Sequence, residues 1–427
     1  MSELSFDLVG WLGPADGDEA ARATMGSLRI SAGENLGVPV TEVEDTIGQT
    51  VRSHINVPLY SVAEWLLMNW WRLRWEGRPD KPTSDWRQTH CLAGIGGDHA
   101  WPGLEFSSDG EFIQLHMEAE DASDVSAIRY LRRVTLDVPA SDFEAAVDRL
   151  VDVVEARLGT LLPQHRALTE LRAELSDERK RPSVAKTCRW QALAGIDPGA
   201  ASEEWVEAAR TLVEEAGATA GEEIMTVLPE LDHGIPSAES LVDAMKRSTT
   251  AVDLTWATST SPLRPRELPW QRGVRLAQEI RAHHHLGDGP LSDEKLSDLL
   301  STNLPLQGQR SRGPLGGGFR NAVAGGRTKI VVTSSHPMSQ RFYLARMIGA
   351  ALVLAPDQHL VPVTTSYSAL QKLERAFAQE FLCPWAALDA FTDEHGVDDD
   401  DLIEAAEYFR VSEFLVRTAL VNRGKVS

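Results

Sequence analysis

The apolar positions of this chain repeat with two periods, and the chain changes character where one gives way to the other. Up to about Thr160, short alternating runs mix with helical ones. Leu8 to Leu12 reads as a strand ended by Gly13-Pro14. Leu104 to Phe106 and Glu111 to Met117 read as the arms of a hairpin around Ser107-Ser108-Asp109-Gly110. Ile113, Leu115 and Met117 alternate with Gln114 and His116, giving one apolar face. Asp-Gly readily adopts the positive φ angles of a tight turn. Tyr130 to Val138 predicts a further strand. A helix is predicted over Val62–Trp75 with Ser61 as N-cap. A longer one runs to about Leu158, opened by a capping box of Ser141 with Glu144 and striped by Ala146, Val147, Leu150, Val151, Val154 and Leu158.

From Leu161 to about Leu300 the pattern is mostly helical, punctuated by Pro182, Pro198, Gly217, Pro229 and Pro236. Glu203 to Gly217 and Ser237 to Lys246 are amphipathic, and Ser259 to Pro269 reads as a proline-rich link. Helices follow over Val274–His285 and, capped by Ser292, over Asp293–Leu300. Asn303 to Gly326 is glycine-rich and Lys329 to Thr333 is a β-branched strand. Further helices are predicted over Arg341–Leu354, Ser368–Leu382, Trp385–Phe391, Leu402–Phe409 and Glu413–Val421, with Ser412 as N-cap of the last and Asp398 to Asp401 suiting the N-terminus of the one before. The fold class is therefore α+β: a mixed α/β domain of unknown type over 1–160, a helical region over 161–265, and a mostly helical C-terminal domain with a small sheet over 266–427.

Composition narrows the function. The 427 residues suffice for two or three domains, and 42% apolar with 25% charged residues is the balance of an ordinary globular protein. The net charge of −21 repels phosphate backbones, so nucleic acid is a poor partner for the whole chain. Cys91, Cys188 and Cys383 lie far apart with no C-x-x-C pair, which fits a reducing compartment. No secretory signal opens the sequence, and no apolar run approaches the roughly 20 residues that span a bilayer. These features predict a cytoplasmic protein without a membrane partner.

Several stretches invite a chemical reading. Trp65, Trp70, Trp71 and Trp75 would stack on nucleic acid only with more basic neighbours than Arg72 and Arg74, so a helix buried on several sides is the better expectation. The glycine-rich run lacks the Gly-Lys-Ser/Thr that ends a phosphate-binding loop. His283-His284-His285 point in different directions on a helix. No G-x-S-x-G elbow supports a hydrolytic triad. Ala405 to Leu420 has a helix-turn-helix flavour with Arg417 on its second helix, but the acidic Asp398 to Glu404 beside it disfavour DNA.

The remaining signal is a set of spacings in the last third of the chain. Arg341-Phe342-x-Leu344-Ala345 resembles the run that precedes H-E-x-G-H in the ImmA/IrrE family of zinc metallopeptidases, with Gly349 at the family's glycine. Arg375-Ala376-Phe377-Ala378-Gln379-Glu380-Phe381-Leu382-Cys383-Pro384 resembles its second helix. Ala405-Ala406-x-x-Phe409-x-Val411-Ser412-x-x-x-Val416-x-x-x-Leu420 resembles its closing helix pair, and Trp270 to Leu300 is similar to the helical lead-in of longer members. The resemblance covers about 270–427. It implies a zincin-like domain, and for active members a zinc endopeptidase of bacterial or phage origin that cleaves a helix-turn-helix repressor.

Carried over position by position, the zinc histidines fall on Arg346 and Ala350, the general-base Glu on Met347, and the third ligand on Gln371. Arginine stays protonated, methionine is no base and alanine has no donor. His336, His359, Glu374 and Glu380 are the residues that could stand in as ligands, although catalytic zinc needs three that converge. The expectation is a metallopeptidase-like protein without catalytic residues or cofactor, working by protein binding or regulation, with a helix-turn-helix regulator as the partner the resemblance suggests. The alternatives are an active endopeptidase that does hold zinc, and a scaffold subunit of a larger complex with the Trp-rich region as its interface.

Overall fold

A computed structural model describes residues 2–13, 18–120, 126–258, 262–307, 310–311, 313–320 and 326–426. Half of the chain is helical, alongside small antiparallel sheets, so the fold class is α+β as expected. The chain divides into two compact units between Ala201 and Ser202.

The first unit runs β1 (Ser2–Trp11), α1 (Glu19–Ala23), β2 (Met25–Glu34), β3 (Val38–Pro39), β4 (Val43–Asp45), β5 (Thr50–Arg52), β6 (Ile55–Pro58), α2 (Leu59–Met68), α3 (Trp70–Trp75), α4 (Ser84–His90), β7 (Glu105–Ser108), β8 (Phe112–Met117), β9 (Ile128–Tyr130), β10 (Val134–Pro139), α5 (Ala140–Leu161), α6 (Ala167–Lys180) and α7 (Pro182–Leu193). One sheet is ordered β1-β2-β3 with β6 also on β2, a second β10-β8-β7 and a third β5-β4-β9. The expected Tyr130–Val138 strand is thus two strands in different sheets. The apolar stripe of α5 and the inner faces of the first two sheets share one core, which also takes Leu168, Leu175, Cys188 and Ala192 of α6 and α7.

Local chemistry departs from expectation at two helix starts. The helix expected from Val62 begins at Leu59, so Ser61 lies inside it, and Asn69 interrupts it before α3. The capping box of Ser141 and Glu144 does not form, because α5 already begins at Ala140. Glu144 instead accepts from Arg74 Nε at 2.7 Å and Arg179 Nη2 at 2.9 Å. The hairpin turn is present, and only Gly110 takes positive φ, at +99°. Asp109 works through its side chain, accepting from the backbone N–H groups of Glu111 and Phe112. The tryptophans are internal. Trp65, Trp70 and Trp71 are buried, and Arg74 and Arg189 cover the Trp75 ring, each within 4 Å of its centroid. They build a core and offer no stacking surface.

The second unit runs α8 (Glu203–Ala216), α9 (Ala218–Met225), α10 (Ile235–Arg247), β11 (Ala251–Val252), α11 (Pro269–His283), α12 (Asp293–Leu300), β12 (Leu315–Phe319), β13 (Thr328–Val331), α13 (Pro337–Val353), β14 (Leu360–Thr364), α14 (Ala369–Leu382), α15 (Trp385–His395), α16 (Asp399–Phe409) and α17 (Glu413–Asn422). The region expected over 161–265 is therefore not one body: α6 and α7 join the first unit, while α9 and α10 pack on the sheet of the second. That sheet is antiparallel, ordered β11-β13-β12-β14. Ser259 in the proline-rich link, and Gly308 and Gly325 of the glycine-rich run, lie outside the described residues.

Within that run, Gly316-Gly317-Gly318 form the middle of β12, a central strand. The reason is close packing. A Cβ on Gly316 would stand 2.2 Å from the Tyr343 Oη, and one on Gly318 2.7 Å from Met347 Cε, so only a bare backbone lets α13 lie this near the sheet. Helix α11 meets α14 in the same way: a Cβ on Gly273 would stand 2.3 Å from the Leu373 carbonyl oxygen. Ser292, Asp398 and Ser412 cap α12, α16 and α17 as expected, and Ser368, expected as the first residue of its helix, caps α14.

Candidate functional site

The four positions at which the resemblance would seat zinc ligands and base lie on α13 and α14, which pack against each other and flank β14. Met347 and Ala350 are fully buried. Met347 reaches the glycine strand, and Ala350 offers no polar atom. Arg346 turns its guanidinium towards α14. Its Nη2 donates to the Thr364 carbonyl at 2.6 Å and to Gln371 Oε1, and its Nε stands 3.5 Å from Glu374 Oε2. Gln371 is used at both ends: Oε1 also accepts from Thr364 N at 3.1 Å, and Nε2 donates to Glu374 Oε1 at 3.2 Å. Two of the four positions, Arg346 and Gln371, are therefore in direct contact, and a fixed cation lies between the two helices.

A second carboxyl joins from α9. Glu223 sits on the buried face that carries Ala220 and Ile224, and accepts from Thr364 Oγ1 at 3.1 Å, Ser366 Oγ at 2.9 Å and Ser368 Oγ at 2.8 Å. Ser368 also caps α14, so this carboxyl and the helix start share a hydroxyl. On the other side Arg375 donates Nη2 to Thr365 O at 2.7 Å and to Thr364 O at 3.4 Å. Burial governs the electrostatics. It pushes Glu374 well above the usual carboxylate range against the opposing pull of Arg346. It raises Glu223 against the hydroxyls that favour its charged form. It also brings Arg375 down to about 10, helped by the like charge of Arg346.

These residues do not fit a zinc ion. Arg346 is a cation with no lone pair to give, Ala350 is inert, and the Gln371 carbonyl is committed to a guanidinium and a backbone N–H. Glu374 is, among the described residues, the sole carboxyl within ion-pair distance of Arg346. Among the described residues, no three His, Cys, Asp or Glu side chains converge as metal ligands. The other candidate ligands are dispersed. His336 is exposed at the start of α13. His359 precedes β14, where its carbonyl accepts from Arg320 N at 2.8 Å. Glu380 accepts from Gln278 Nε2 at 2.9 Å and from Trp385 N at 3.1 Å, which secures the first turn of α15. His283 to His285 lie at the end of α11, where His284 packs edge-on against Trp256.

The sequence pointed to Arg346 and Gln371 and missed Glu223 and the three hydroxyls. One signal was available. Glu223 falls three residues after Ala220 and next to Ile224, so an acid occupies the apolar face of a helix. Arg341, in the same motif, is structural: buried, it donates to Leu291 O at 2.6 Å and Arg410 O at 3.2 Å and pairs with Asp293. No protein-family model, no curated protein and no solved structure matched the chain.

Proposed function

We propose that residues 266–427 form a metallopeptidase-like domain that engages a protein partner in the cytoplasm without cutting it, and so acts in regulation. One observation carries this reading: the position of the first zinc histidine holds the Arg346 guanidinium, bonded to Gln371 at the position of the third ligand. A guanidinium there excludes a second cation by charge and by volume, and Met347 cannot serve as the base that activates water. The buried free thiols suit a reducing compartment. The partner class that follows from the resemblance is a helix-turn-helix regulator.

The test is metal analysis of the purified full chain, paired with incubation alongside a co-encoded regulator. The expected result is no stoichiometric zinc, and a complex from which the regulator is recovered intact. Tightly held zinc at one ion per chain, or cleavage abolished by a chelator, would establish the active endopeptidase instead.

A further inference from the structure

Two guanidiniums meet at a single carbonyl in this cluster, and each keeps a buried donor in reserve. Arg346 and Arg375 both give Nη2 to Thr364 O, at 2.6 Å and 3.4 Å, so the two nitrogens are separated by no more than those bonds laid end to end. Like charges so close repel strongly away from bulk water. The Nε of Arg346 and the Nη1 of Arg375 are buried and make no hydrogen bond to protein. Neither carboxyl hydrogen-bonds to them, although Glu374 pairs with Arg346 by charge. Glu223 is occupied by three hydroxyls, and Glu374 Oε2, 3.5 Å from Arg346 Nε, is itself buried without a hydrogen bond.

Buried N–H groups are nearly always paired, so donors left over on two adjacent cations point to an accepting, anionic occupant. A carboxylate matches: its two in-plane oxygens can take one N–H from each guanidinium. The Arg375 side of the cluster lies nearest the surface. Its bond to Thr365 O lies at the exposed surface, and its Cζ sits 5.1 Å from the ring centroid of Tyr367, which is 51% exposed.

We propose that Arg346 and Arg375 form a receptor for a carboxylate presented by a peptide, at its C-terminus or on an acidic side chain. This rests on the protein-binding reading and names the group that the site would take. The approaching carboxylate meets Arg375 first, beside Tyr367, and completes its pair of bonds at Arg346. Glu374 is its internal competitor.

The full chain, with ¹⁵N-labelled arginine, is titrated with sodium acetate against sodium chloride at constant ionic strength while the Nε–Hε resonances are followed. Saturable shifts of Arg346 and Arg375 are expected. Arg375→Gln should weaken acetate by about tenfold, the worth of one charge-assisted bond, and Arg375→Lys by less. Glu374→Gln removes a competing charge and should bind acetate at least as tightly as the parent. Among the described residues, the hydrogen bonds of Arg375 go to the Thr364 and Thr365 carbonyls, so its variants should keep the parent's far-ultraviolet spectrum.

A peptide with a free C-terminus and a C-amidated peptide with one glutamate then distinguish the two sources. Absence of saturable shifts, unchanged affinity in Arg375→Gln, weaker binding in Glu374→Gln, or a larger response to inorganic phosphate than to acetate would each overturn the proposal. Failure of acetate while the intact regulator still binds sinks the receptor alone. Acetate binding with no regulator complex supports the receptor and sinks the wider reading.

Discussion

Arg346 illustrates what a single buried charge demands of its neighbours. Removing one partner from a buried ion pair leaves the other uncompensated, whereas replacing both with apolar groups of similar size is far less damaging. Arg346→Ala should therefore destabilise the second unit by about 3 kcal/mol, while Arg346→Met combined with Glu374→Leu costs clearly less than the sum of the singles. Denaturant melts of the four proteins of this cycle measure the coupling, and additive singles would show that the two groups do not communicate. The resemblance singled out Arg346 and Gln371 as former ligand positions, and the structure shows that they bond to each other. The resemblance could not identify Glu223, because contact between α9 and β14 joins positions some 140 residues apart.

His90 poses the opposite problem in the first unit. It is buried, stacked on Trp86 at 4.2 Å, and pushed down to about 3 by burial despite Glu76 at 3.4 Å. The unfolded side chain binds a proton near its ordinary value of 6.5, and the folded one only near 3. Between those values the unfolded state holds more protons, so stability falls as pH is lowered, by up to roughly 1.4 kcal/mol per pH unit. His90→Phe should flatten that dependence. Urea midpoints of the parent and the variant across pH 3 to 6.5 provide the check, and parallel curves would rule the group out.

At the scale of elements, what was legible depended on whether a signal was local. Ser292, Ser368, Asp398 and Ser412 each stand just before an apolar-periodic segment, and each caps a helix. Ser141 had the same local signature and failed, because strand β10 runs straight into α5 and Arg74 and Arg179 claim Glu144. The glycine strand was half legible for the converse reason. The run reads as a hairpin or a flexible loop, and β12 and β13 do pair as a hairpin. Three glycines do not read as a central strand until the helix that presses on them is known. Gly316→Ala should cost about 2 kcal/mol or more through overpacking against Tyr343, whereas Gly289→Ala, where an added Cβ meets nothing, should be close to neutral. Equal thermal shifts in the two variants would refute the packing argument.

Over the whole molecule, the two hydrophobic cores draw on separate stretches, Leu4 to Ala192 and Val252 to Leu420. The connecting segment carries Gly195, Pro198 and Gly199 between α7 and α8 and is largely exposed from Asp197 to Glu203. A broad-specificity protease at low dose should cut there first and release two resistant fragments, identified by mass. Initial cleavage inside either core would contradict the division. The boundary eluded sequence reasoning because α7 and α8 belong to one continuous helical pattern, and only packing assigns them to different bodies.

The bond from Arg341 to the Arg410 carbonyl carries a consequence for synthesis. Helix α13 folds around a buried cation whose full complement of acceptors is supplied partly by a turn 69 residues downstream. A nascent chain that has already extruded α13 still lacks that acceptor, and the helix stays incompletely seated until the turn between α16 and α17 clears the ribosome. Ribosome-stalled chains ending before and after Arg410 should accordingly differ in protection of α13, making the last helices a timer for the maturation of the domain.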